Sequence, residues 1–165
     1  QGGSAVPVPA VSGGIVITEV QIAGAQNDND FIKIYNRGSS AADVSGWKLR
    51  KKTQPGTDYS IRVFPSGSVV PAGGSFLWAN SEGGFSGSIG ANTWSTQTLA
   101  KDNSAALFDA AGGLVDAVAW GSGHVGPYVE GSAYPTNPGA SQVLRRKISG
   151  GVPQDTNDNA SDFEL

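Results

Sequence analysis

GIVITEVQIAG, residues 14–24, holds two interleaved sets of apolar side chains between flanking glycines. Alternation at a spacing of two is the period of a β-strand, and the run is too short for an amphipathic helix. The segments that follow read the same way. In DFIKIYNRG, 30–38, Ile32 and Ile34 share a face and Lys33 points away. VSGWKLRKK, 44–52, sets Trp47 and Leu49 on one side, and DYSIRVFPSG, 58–67, stops at a proline. SVVPAGGSFLWAN, 68–80, contains PAGG, where Pro holds φ near −65° and Gly accepts positive φ, so a turn is expected. SAALFDAAGGLVDAVAWG, 104–121, predicts a hairpin around Ala110–Gly113, and SQVLRRK, 141–147, is a late strand. No window sustains the i, i+3, i+4, i+7 pattern of a helix over three turns. Short strands separated by turns predict an all-β antiparallel sandwich. The polar, Gly-rich stretches 81–103 and 121–140 are expected to be long loops. Residues 1–13 form an extended N-terminal segment ahead of a sandwich domain over 14–165.

Composition narrows the function. With 165 residues the chain suits one domain, and 38% apolar residues supply one core. A net charge of −3 favours neither nucleic acid nor an anionic membrane. No apolar run approaches the ~20 residues of a membrane-spanning helix. The absence of Cys removes disulfides and thiolate zinc sites from consideration. The chain begins at Gln1 and contains no Met, which is expected from removal of a signal peptide or from trimming; the Gly/Ser/Asn/Thr-rich, charge-poor character favours export. The expected setting is extracellular or at the cell surface.

The order of motifs resembles that of the lamin-tail domain, in its bacterial branch. It runs through Ile17-Thr-Glu-Val20, Asp30-Phe-Ile-Lys-Ile-Tyr-Asn36, Val44-Ser-Gly-Trp47-Lys-Leu49 and Val70-Pro-Ala-Gly-Gly-Ser-Phe-Leu-Trp78. It continues through Asn92-Thr-Trp94, Ala106–Asp116 and Gln142–Arg146 to Asp155–Asn159 and Asp162-Phe163. The resemblance implies an immunoglobulin-like β-sandwich that binds or scaffolds and has no enzyme activity. Trp47, Trp78 and Trp120 are expected in the core, while Trp94, inside a predicted loop, is the candidate surface contact.

Catalytic signatures are weak. The one histidine, His124, has no G-x-S-x-G elbow to accompany it. Neither a GxGxxG nor a Walker loop is present. The basic runs Arg50-Lys51-Lys52 and Arg145-Arg146-Lys147 lie on predicted strands, where alternate members face opposite sides. They are expected to be solvated strand edges that discourage aggregation, with no nucleic-acid face. Two Asp/Asn-rich stretches are candidate Ca²⁺ cages: Asp155, Asn157, Asn159 and Asp162 near the end, and Asp28 with Asp30 before the second strand. The first begins like an EF-hand but has Ala160 where Gly is required and ends before the twelfth position. The competing role for both is turn formation through the backbone. On that reading, the last residues close the sandwich, with Phe163 and Leu165 anchoring them.

In Ala5-Val-Pro-Val-Pro-Ala-Val11, prolines two apart blank one edge of an extended strand and leave the other able to pair. Val6 and Val8 share a face and would fill two pockets on an acceptor. Strand addition to a second copy would generate a filament. The alternatives are a polyproline linker and pairing on the chain's own sheet edge. Two functions follow: a structural subunit that assembles with copies of itself, or a monomeric module that binds another surface protein or a glycan.

Overall fold

The computed structural model describes residues 14–122 and 128–165. The expected strand at Val6 and Val8, and His124, lie outside the described residues. The chain builds β1 (Ile15–Gln21), β2 (Phe31–Asn36), β3 (Ala42–Asp43), β4 (Lys48–Lys52), β5 (Asp58–Val63), β6 (Val69–Val70) and β7 (Ser75–Asn80). A 3₁₀ turn at Glu82–Gly84 and the short α1 (Phe85–Ser88) lead to β8 (Thr93–Ser95). Then come β9 (Ser104–Phe108), β10 (Leu114–Ala119), β11 (Leu144–Arg146), β12 (Ile148–Ser149) and β13 (Val152–Pro153). The one-turn α2 (Asn159–Asp162) and β14 (Phe163–Glu164) end it. A six-stranded sheet in the order β14-β11-β1-β2-β7-β8 faces a four-stranded sheet in the order β10-β9-β4-β5, with β3–β6 and β12–β13 as small ladders. This is the immunoglobulin-like β-sandwich that the sequence predicts.

The two apolar sets of β1 have a structural cause. Ile15 and Ile17 enter the core, and so do Val20 and Ile22, one set at odd positions and the other at even ones. The parity changes because the register with β2 shifts between Ile17 and Glu19, a β-bulge that inserts one residue and turns the strand over. Ile32 and Ile34 of β2 and Phe76 and Trp78 of β7 meet the same core, as do Leu49, Leu107 and Val118 from the facing sheet. Trp47, Trp78 and Trp120 are buried. The PAGG turn is present, with Gly73 at φ +65° and the Gly74 amide donating to the Pro71 carbonyl at 2.9 Å. So is the hairpin at 110–113, closed by the Asp109 amide donating to the Gly113 carbonyl at 2.9 Å.

Three expectations are corrected. The stretch 81–103 is more than a loop: Asn92 accepts from the Leu77 amide through Oδ1 and donates to the Leu77 carbonyl, docking β8 beside β7 in parallel. The basic runs are only in part solvated edges. Lys51 is buried, with its ammonium donating to the Thr98 carbonyl, and Arg146 is buried completely. Alternation did place neighbours on opposite faces, but the inward members are structural cations and their neighbours Arg50 and Arg145 stand outside. At the C-terminus Phe163 anchors the chain, whereas Leu165 is exposed.

Candidate functional site

The ladder between β1 and β11 covers only Glu19 and Val20, so the backbone of Ile17, which borders the bulge, has no strand partner on that side, and buried backbone groups must be satisfied. Asp116 of β10 accepts the Ile17 amide at 2.6 Å, and Arg146 of β11 donates from Nε to the Ile17 carbonyl at 2.7 Å. The two side chains also meet each other, Nη2 to Oδ2 at 2.7 Å. Arg146 then donates from Nη1 to the Gln154 carbonyl at 2.8 Å, and its guanidinium lies over the Phe163 ring at 4.6 Å. One buried cation thus ties β1, β10, β11 and the closing segment together.

That segment runs through the Asp/Asn-rich stretch. Asp162 is fully buried and accepts from Thr156 Oγ1 at 2.7 Å, the Thr156 amide at 2.8 Å and Gln154 Nε2 at 2.9 Å. Burial opposes its charge, but these bonds from Gln154 and Thr156, with one from Asp158, outweigh it and hold its pKa below the ordinary range. Asn159, also fully buried, donates to the Ala117 carbonyl at 2.9 Å and accepts from the Ala119 and Glu130 amides at 3.1 Å each. Its carboxamide stands in for a neighbouring strand along the edge of β10. Asp158 accepts from the Ser132 amide at 2.9 Å and from Ser161 Oγ at 2.6 Å. Asn157 is exposed at φ +59° and donates its amide to Asp155 Oδ1 at 3.3 Å. Of the four residues in this stretch that the sequence offers to a cation, Asn159 and Asp162 direct their oxygens to the chain itself.

Asp30 is completely buried. Its Oδ2 accepts the Leu99 amide at 2.8 Å while Oδ1 has no partner. Burial raises its pKa to about 7, against the lowering effect of the Leu99 bond. Asp28 nearby is half-buried and raises it further.

Among the described residues one set of three acidic side chains converges. Asp116, Glu130 and Asp155 each present a carboxylate oxygen within 4.8 Å of the other two. Asp116 Oδ1 and Glu130 Oε1 are buried and have no hydrogen-bond partner. The pKa of each is raised, by burial first; Glu130 is raised further by Asp116 and Asp155, while Arg146 pulls Asp116 back. Asp155 comes from the stretch singled out in the sequence. Asp116 and Glu130 were missed, although each leaves a signal: a lone acid inside the apolar strand LVDAVAW and a lone acid in PYVEGS.

Trp94, the candidate contact residue, is 51% exposed on β8, the end strand of its sheet. It stands near β5, the end strand of the facing sheet, where Arg62 Nε donates to Thr93 Oγ1 at 2.6 Å and Ser95 Oγ to the Ile61 carbonyl at 2.7 Å. On the six-stranded sheet's outer side, an open groove of about 220 Å³ is lined by Thr18, Glu19, Lys33, Tyr35 and Arg145 and bordered by the β12–β13 hairpin.

No helix among the described residues is long and apolar enough to cross a membrane. No curated protein matches the chain. A sequence model described as the lamin tail domain matches residues 9–122, about two thirds of the chain. With the bulged β1, the two facing sheets and the order of their strands already established, the chain belongs to the lamin tail domain family, whose immunoglobulin-like modules serve in interaction and structure.

Proposed function

We propose that this domain is a non-catalytic module of an extracellular or cell-surface protein and that it assembles with copies of itself. The observation that carries the reading is Trp94. Three of the four tryptophans are buried, and the fourth keeps half its surface in solvent on an end strand. A large rigid aromatic is costly to leave in water and is the residue type most enriched at the centre of protein interfaces. Tyr59 and Val63 are exposed on β5, the strand adjoining β8, and extend the apolar character of that edge. The pattern of the N-terminal segment supports a strand donated to another copy, and the Gly/Ser/Asn/Thr-rich, charge-poor composition supports the extracellular setting. The absence of enzymatic activity is supported by the family and by the use of the buried charges. Arg146, Asp116 and Asp162 hold strands together at a bulge and a closing turn.

A second reading, a monomeric module that binds a protein or glycan, is favoured by the groove between Glu19, Lys33, Tyr35 and Arg145, whose mixed charges suit a polar ligand. Sedimentation velocity of the full chain, of a chain lacking residues 1–11 and of Trp94→Ser separates the two. Assemblies formed by the full chain and lost in both variants support self-association through these surfaces. A full chain that stays monomeric at high concentration overturns it and leaves the ligand-binding reading.

A further inference from the structure

We propose that Asp116, Glu130 and Asp155 form a Ca²⁺ site that clips the closing segment of the chain to the edge of the sandwich. The first ground is geometric. Oxygens that bind one Ca²⁺ at 2.3–2.6 Å lie no more than about 5 Å apart, and the three carboxylate oxygens lie within 4.8 Å of one another.

The second ground is polar bookkeeping. Asp116 is 1% exposed, and its two oxygens differ. Oδ2 receives the Ile17 amide and the Arg146 guanidinium, whereas Oδ1 has no partner. Glu130 Oε1 is buried and equally without a protein donor. It lies in hydrogen-bond reach of Asp116, so only a shared proton or a cation can sit between the two carboxylates. Buried carboxylate oxygens without partners are costly, and in folded proteins they are paired or coordinate a metal. Arg146 does not relieve them, because its donors are engaged by Ile17, Asp116 and the Gln154 carbonyl, with Asp155 and Asp162 at 3.6 Å. Three carboxylates, Asp116, Asp155 and Asp162, therefore lie within 3.6 Å of one guanidinium, and Glu130 adds a fourth beside Asp116 and Asp155. A divalent ion placed among Asp116, Glu130 and Asp155 reduces that excess.

The donor set selects the ion. All three donors are hard carboxylate oxygens, which excludes a preference for Zn²⁺ or copper. The three come from β10, from a loop and from the closing segment, and such an irregular set suits the flexible geometry of Ca²⁺ better than the strict octahedron of Mg²⁺. The remaining positions would be taken by water. Because the ligands lie on separate segments, the ion would add to the links that Arg146 and Asn159 already make.

The test uses the full chain stripped with EDTA. Millimolar Ca²⁺ is expected to raise the melting temperature by several degrees, to give heat in titration calorimetry at one ion per chain, and to slow amide exchange over 152–162. Glu130→Gln and Asp155→Asn are each expected to fold, to melt in EDTA at or above the wild type because a repelling charge is gone, and to bind Ca²⁺ at least about tenfold more weakly. No heat and no thermal shift in the wild type would overturn the site and leave a proton shared between Asp116 and Glu130 as the way the pair is tolerated. Equal responses in wild type and both variants would place the ion elsewhere and overturn it as well. An equal shift with Mg²⁺ at the same concentration would overturn the choice of Ca²⁺.

Discussion

Arg146 and Asp116 meet at 2.7 Å in the interior, one on β11 and the other on β10, and between them hold both backbone polar groups of Ile17, its amide and its carbonyl. The pair sits beside the bulge in β1, where the β11 ladder covers Glu19 and Val20 but not Ile17. Side chains of opposite charge from the two sheets satisfy the backbone groups left without a strand partner there. Removing either partner strands the other as a buried charge. Arg146→Met or Asp116→Leu is therefore expected to cost about 3–5 kcal/mol, and the double substitution less than the sum of the two. Urea unfolding of the two single variants and the double variant checks this.

Asn159 occupies the edge of β10 as a fifth strand would. Asn159→Ala leaves the Ala117 carbonyl and the Ala119 amide without these partners and is expected to cost about 1–3 kcal/mol. Hydrogen exchange should show the loss at the Ala119 amide ahead of the β1 and β2 amides. Uniform loss across the sandwich would contradict a local edge role.

Asp30 gives the protein a pH dependence of definite sign. Its carboxyl titrates near 3.8 in an unfolded chain and at about 7 in the native one, so the native state binds more protons in between. Stability from this residue is complete below about pH 4 and lost as pH rises toward and through about 7. The change is at most about 4 kcal/mol, at 1.36 kcal/mol per pH unit. Urea midpoints from pH 4 to 8 should fall less steeply for Asp30→Asn than for the wild type. Parallel curves would contradict it.

The tryptophans should divide by exposure. Trp47→Ala, at a buried position in the core cluster, is expected to cost about 3–5 kcal/mol. Trp94→Ala is expected to cost under about 1 kcal/mol, because half its surface is already in solvent. Thermal unfolding of the two variants checks the difference.

Strand period, turn residues and the order of motifs were legible because they are local: Ile32 and Ile34 need only their own strand to fall on one face, and PAGG needs only its own φ angles. Trp47 in the core and Phe163 as the closing anchor follow from size and apolarity alone. Where side chains go for partners is decided at a distance. The sequence shows Arg145-Arg146-Lys147 as three equivalent cations, and the fold draws the middle one inside because Ile17, 129 positions earlier, has a carbonyl to satisfy. It shows an Asp/Asn-rich run with several candidate ligands. The fold directs Asn159 to β10 and Asp162 to its own turn, and leaves Asp155 facing Asp116 and Glu130, which sit 39 and 25 residues away in the chain. Periodicity determines which residues are buried. Only the tertiary structure decides which buried charges meet, because a charge in the interior is tolerated where the packing of distant strands supplies its counterpart.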